Sequence, residues 1–248
     1  RPLQCYIASN ASDKIAQQVA SQSIIGTMLF GIIIGNMSLS TLLGVVAMLP
    51  SIIFAVFGAK YAGKHGSKKG IVTWSAVCMA VAIIMIVYFV AIDPTKIASM
   101  GPVMIIYVLL TLAFNGAKMC VTTCGTSFMA DCIDYELYRS GKFVPAVVSG
   151  TYSLLDKIIS SFGALIATAA VALLGYTTTM PQPGDPCTTP LFWMTMFLYF
   201  GLPILGWIVS LVAMRYCDLS KEKMVEVQKA IAEKKAAAKA EVIAENMK

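Results

Sequence analysis

Stretches of about 20 predominantly apolar residues, separated by short polar joins, recur along this 248-residue chain. A helix rising about 1.5 Å per residue crosses the hydrocarbon layer of a bilayer in that length. Within lipid, each backbone N–H and C=O must be satisfied inside the protein, which favours helices. The chain therefore reads as an all-α membrane protein. Six spans are expected, over residues 3–35, 39–61, 71–92, 102–130, 143–174 and 191–216. Several exceed the minimum length, which permits tilt. A charged helical tail over 218–248 follows the bundle of residues 1–217. Composition agrees: 58% of residues are hydrophobic and 13% charged, about half the charged share of a soluble domain. A soluble enzyme is a poor fit. The chain opens on Arg1 rather than Met and without a secretory pattern, which reads as a truncation or a cut gene.

The joins are short. Gly35-Asn36 and Asp93-Pro94 close the first and third spans, and Pro50 lies within the second. Prolines 181, 183, 186 and 190 keep residues 176–190 from being helical throughout. Basic residues set the orientation. Lys60, Lys64, Lys68 and Lys69 fall in a loop over 60–70, and Arg139 and Lys142 in a loop over 131–142. Arg215, Lys221, Lys223, Lys229, Lys234, Lys235, Lys239 and Lys248 fall in the tail, while the alternate loops hold only Lys96. Both loops, the start and the tail are thus expected in the cytoplasm, which also accounts for the net charge of +6. No nucleic-acid partner is needed, since no base-reading module accompanies the lysines. The tail, with Glu222 and Glu226, Lys235 and Lys239, and Glu241 and Glu245 at spacings of four, reads as a solvated helix in which Lys229 and Glu233 could pair.

The seven cysteines mostly lie in apolar stretches and read as small packing residues. His65 is the only histidine, so neither a metal site with histidine ligands nor a serine–histidine–acid set can be built. Glycines 63, 66 and 70 lack the phosphate-loop order. No enzyme, metal or resident cofactor is expected.

The informative residues are polar ones inside the spans, where a charge costs roughly 2.5–3.5 kcal/mol on insertion scales. Lys157 lies about 21 Å into the fifth span, counted from Phe143. Ser149, Ser153 and Ser161 share its row, and Tyr152, Asp156 and Ser160 form a second. Together they read as a polar wedge lining an aqueous cavity, or as a salt bridge from Lys157 to Asp156 or another helix. Adjacent residues point about 100° apart, so Asp156 and Lys157 need not pair. In the fourth span Asn115, Lys118, Thr122 and Thr126 share one face, and Gly116, Ala117 and Gly125 admit a neighbouring helix. Lys118 either faces the same cavity or snorkels. In the first span Asp13, Gln17 and Ser21 recur at a spacing of four. At the end of the fourth, Asp131, Asp134, Tyr135 and Arg139 read as a latch between helices or as a solvated helix end.

These residues resemble a known family. Arg1-Pro2-Leu3, Gly35-Asn36, the run Ala130-Asp131-Cys132-Ile133-Asp134-Tyr135, Lys157 in a polar helix, and Gly175-Tyr176 are similar to the C-terminal half of the glycoside–pentoside–hexuronide:cation symporters. These form the melibiose-permease branch of the major facilitator superfamily. The resemblance covers about residues 1–220. It implies a six-helix half of a twelve-helix fold, carrying sugar or glycoside with Na⁺ or H⁺ across the plasma membrane by alternating access. It implies a missing N-terminal half holding most of the cation site, and membrane lipid around both. Lys157, Asp156, Tyr152, Ser153, Asn115, Lys118 and Thr122 are the expected substrate-binding or coupling residues. Thr122 stands where some relatives have a sugar-stacking tryptophan. Two other readings stay open: a transporter of this superfamily for a lipid, drug or organic anion, and a non-transporting scaffold or inactive fragment.

Overall fold

The first expected span is interrupted in the structure, and the interruption follows from its polar residues. Helix α1 (Pro2–Ala20) stops before Ser21, and Gln22 is extended at φ −64°, ψ 135°. The hydroxyl of Ser21 and the amide of Gln22 both donate to the Gln18 carbonyl, at 3.1 and 3.0 Å, in competition with the backbone ladder. Helix α2 (Ser23–Gly26) leads into a π-helical stretch, Thr27–Ile33, whose residues from Met28 onward are buried. This computed structural model describes residues 2–141, 145–177 and 179–246, without the side chains of 49, 148, 235 and 237–246. Arg1, Lys142, Phe143 and Lys248, and the side chains of Lys235, Lys239, Glu241 and Glu245, lie outside the described residues.

Two expected loops are helical instead. Helix α3 (Ser38–His65) passes through Pro50, and α4 (Ser67–Ala91) begins two residues after α3 ends. The loop expected over 60–70 is thus one residue, Gly66, at φ 92°, where a side chain would be strained. Lys64 and His65 remain in the last turn of α3, where positive charge suits the helix dipole. Helix α5 (Pro102–Ser140) runs ten residues past its expected end and stops at Gly141, φ 70°. Its 39 residues span about 58 Å, against a hydrocarbon layer of about 30 Å. The residues 131–140 are therefore a helical projection, not a loop. Asp93 caps the short turn Pro94–Ala98 by accepting from the Thr95 amide and hydroxyl. Helix α6 covers Pro145–Leu173. The proline-rich segment after it is irregular, as expected, until α7 (Thr189–Met196). A second π-helical stretch, Phe197–Gly201, joins α7 to α8 (Leu202–Arg215), and α9 (Lys221–Asn246) forms the tail.

Packing sorts the long helices into two layers. Helix α5 packs on α3, α1 on α5, and α6 on α1, which gives a front row α3–α5–α1–α6. Behind it α4 packs on α5 and α3, α8 on α1, and α4 and α8 on each other. A chain of rings fills the space between the layers: Tyr107 on Phe89 at 5.6 Å, Phe89 on Phe200 at 6.0 Å, Phe200 on Phe114 at 5.8 Å and Phe114 on Trp207 at 5.9 Å. Among the described residues there is no strand, and four helices are long and apolar enough to cross a membrane. A fifth is added if the segments Ser23–Ile33 and Ser38–Met48, bent by 117°, count as one broken span. The polar helix α1 is not among these.

Small residues set the closest approaches. A Cβ at Gly206 would stand 2.9 Å from the Ser12 carbonyl oxygen, and one at Gly58 would stand 2.9 Å from the Cys120 Cα. Cys120 and Cys124 donate their thiols to the Phe54 and Gly58 carbonyls, which fixes α5 against α3. Backbone at such a contact cannot yield as a side chain can. Gly206→Ala is therefore expected to lower stability by about 1–3 kcal/mol. Gly26→Ala, where a Cβ meets nothing within 4 Å, is expected to be neutral or stabilising. Thermal unfolding of the two variants in detergent checks this contrast.

Candidate functional site

In a helix, residues three and four apart share a face, so Tyr6, Asn10, Asp13, Lys14 and Gln17 form one polar strip along α1. The strip meets α6 on one side and α5 on the other. Toward α6, the Tyr152 hydroxyl donates to Asn10 Oδ1 at 2.9 Å, and the Asn10 amide donates to the Tyr6 hydroxyl at 3.4 Å. The Tyr6 and Tyr152 rings stack with centroids 5.6 Å apart. Lys14 Nζ lies 3.2 Å from Asp156 Oδ1, with both side chains largely buried. This pair joins the first and fifth expected spans at mid-helix, where either charge alone would be costly. Toward α8, Ser9 and Ser210 share a hydrogen bond at 2.5 Å, and Ser12 donates to the Gly206 carbonyl at 3.1 Å.

Toward α5, Gln17 Nε2 donates to Asp13 Oδ2 at 2.8 Å. Asp13 Oδ1 is buried and receives no hydrogen bond among the described residues. Lys118 and Lys14 supply the positive charge around it, and the Trp207 indole lies beside it. Lys118 Nζ sits 5.2 Å from the centre of the Phe114 ring. Together with Gln17, Asn115, Thr122 and Tyr199 it lines a groove of about 490 Å³ between α3, α5 and the first span. A smaller cavity of about 80 Å³, lined by Asn10, Asp13, Lys14, Gln17, Thr122 and Tyr152, adjoins it through Gln17. The two together present amide, hydroxyl, ammonium and carboxylate groups, which suits a solute that has shed water and needs several hydrogen bonds.

The wedge expected on α6 divides. Tyr152 and Asp156 face α1 and enter the network, whereas Ser153 and Lys157 are exposed. Asp156 meets Lys14 and not Lys157. Asn115, Lys118 and Thr122 do share one groove. Tyr6, Ser9, Asn10, Asp13, Lys14, Gln17 and Ser210 were not among the expected site residues. Their signal was present in the polar front half of the first span, which reads equally as a weak membrane helix until its partners are placed.

The projection of α5 is a docking surface for α9. Gln228 Nε2 donates to Asp134 Oδ2 at 2.6 Å, Tyr138 donates to Glu226 at 3.5 Å, and Val227 and Ile231 are buried. Lys221 Nζ donates to the Lys64 carbonyl at 2.6 Å, beside Gly66. Asp131 lines a cavity of about 620 Å³ beneath α9, and Tyr135 and Arg139 line another with Lys223. Arg139 pairs at 4.0 Å with Glu136 rather than with Asp131. The ion pair seen on α9 is Lys223–Glu226, at 2.9 Å.

Lys14→Met and Asp156→Leu are each expected to destabilise the fold by about 1–3 kcal/mol, since each strands a charge that is not fully buried. The double variant is expected to recover part of that loss. A double-mutant cycle on melting temperature in detergent measures the coupling.

Residues 24–221 match the protein family described as MFS/sugar transport protein. No curated protein matches the chain. The matched stretch begins at α2 and ends at the first residue of α9. This chain therefore belongs to the MFS/sugar transport protein family, a family of transporters, and its apolar helices make it a multi-pass membrane protein.

Proposed function

We propose that this chain is a six-helix half of a sugar or glycoside:cation symporter of the melibiose-permease type, working by alternating access with Na⁺ or H⁺ as the coupling ion. The observation that carries the reading is the polar groove of the front row, in a chain of the sugar transport family. Its volume of about 490 Å³ lies within the range of about 300–1,000 Å³ usual for small-molecule sites. Gln17, Asn115, Lys118 and Thr122 offer the mixed donors and acceptors that sugar hydroxyls need in place of water. A second six-helix half covers the front row and completes the cavity. The exposed apolar side chains of α3 and α6, among them Ile52, Phe57, Leu154 and Phe162, support such a partner, as does Lys157 on the outer face of α6.

In this reading the basic residues put the α9 end of the bundle in the cytoplasm of a cell whose plasma membrane holds the protein. The contacts of α9 with the α5 projection then sit where the halves close and open, and they are of the polar kind that can break and reform.

The test is uptake of a panel of radiolabelled hexoses, pentoses, glycosides and hexuronides by vesicles carrying the complete transporter, with imposed Na⁺ or proton gradients. Gradient-driven accumulation of at least one sugar is the expected result. Accumulation of lysolipid or organic anions, with no sugar taken up, would overturn the reading. Lys118→Ala is expected to lower uptake about ten- to a hundredfold, the loss of one or more hydrogen bonds from a charged donor. Lys157→Ala is expected to abolish accumulation, and unchanged rates in that variant remove Lys157 from the transport path.

A further inference from the structure

Among the described residues, two front-row carboxylates each have a buried oxygen without a hydrogen bond: Asp156, whose oxygen is ion-paired with Lys14, and Asp13, which has no ion pair. One Asp13 oxygen takes the Gln17 amide. The other is buried and takes no well-formed hydrogen bond among the described residues; the Trp207 indole N–H is the neutral donor facing the carboxylate, and an ionised carboxylate accepts at both oxygens. Such an orphan is expensive to bury and marks a strained or working site. The charged and titratable groups that face it can be named by element. They are Lys14 on α1 itself, Lys118 on α5 and Cys78 on α4. Asp156 and Tyr152 on α6 act through Lys14 and Asn10, and α8 brings only the neutral Trp207 and Ser210. Lys118 is therefore the single cation near Asp13 that is not already committed to a salt bridge among the described residues. Instead its ammonium lies over Phe114 and lines the groove.

We propose that Asp13 is a proton-binding site in this half of the transporter, and that Lys118 links its protonation to the groove. With Asp13 ionised, Lys118 is drawn to the open oxygen and away from the groove. A proton arriving from water through the small cavity beside Asn10 and Lys14 bonds to Oδ1 and gives a neutral acid. Lys118 is then released to donate to the solute. Loss of the same proton to the opposite side of the membrane restores the first state, so one proton is carried per cycle and no other reactant is needed. A metal cation fits this site poorly. The ammonium groups of Lys14 and Lys118 flank the carboxylate and repel a second cation.

The link to solute rests on the transport reading above; the proton site does not. The test therefore has two arms on the complete transporter in liposomes. Infrared difference spectra between acid and alkaline buffer read carboxyl protonation without any substrate. A protonated-carboxyl band is expected in the wild type and in Asp13→Glu, and its loss in Asp13→Asn. A band unchanged in Asp13→Asn overturns the proposal, and Asp13→Glu guards against a misfolded variant. In the second arm, Asp13→Asn is expected to lose accumulation driven by a proton gradient, and Asp13→Glu to retain it. Proton-driven accumulation at the wild-type level in Asp13→Asn also overturns it. An Asp13-dependent band in a wild type that moves no sugar upholds the proton site and sinks the transport reading instead.

Discussion

A charge cannot stay unpaired in the middle of a lipid-embedded bundle, and the arrangement of the front row follows from that. Helix α1 carries Asp13 and Lys14 among amides and hydroxyls, too polar to face hydrocarbon on its own. It sits between α5 and α6 and in front of α8, each of which supplies a polar neighbour. The Lys14–Asp156 pair fixes the depth at which α6 lies against α1, and the Ser9–Ser210 and Ser12–Gly206 bonds fix α8 behind it. The apolar helices α3 and α4 then complete the bundle by packing, with glycines and cysteines at the tightest crossings. Polar satisfaction chooses the neighbours of α1; shape chooses the rest.

Much of the architecture was readable from the run lengths of apolar residues, because the bilayer allows few alternatives. The positions of α4, α5 and α6 and the irregular proline-rich segment all follow from them. The ends of the helices did not. Lys60, Lys64, Lys68 and Lys69 look like a loop because charge marks the exit from lipid, yet a helix can continue into water. The joint at Gly66 depends on one glycine accepting a positive φ. The same confusion placed Asp131 to Arg139 in a loop, although their spacing of four already belonged to a helix.

The site was half legible for a related reason. Periodicity shows which residues share a face, but not which face meets which helix. Asn115, Lys118 and Thr122 were found because their row carries the charge lying deepest in α5. On α6 two polar rows lie side by side, and only the partner decides between them: Tyr152 and Asp156 turn to α1, while Lys157 does not. On α1 the shared face of Asp13 and Gln17 was visible, but the segment alone did not show that Tyr6, Asn10 and Lys14 join it in one site. Long-range pairs such as Lys14 with Asp156, or Tyr152 with Asn10, leave no mark on either segment alone.

Helix α5 has a further consequence. It is one unbroken rod from Pro102 to Ser140, carrying Lys118 in the groove and Asp134 under α9. The sixteen residues between those two side chains span about 24 Å of continuous helix. Geometry alone makes a tilt of about 5° around Lys118 a displacement of about 2 Å at Asp134, over that same rise per residue. That is of the order of a hydrogen bond's reach. No joint lies between the two places to absorb it. A small adjustment around a solute is thus felt by α9 as a lever arm's swing, and a grip by α9 is felt in the groove as stiffness.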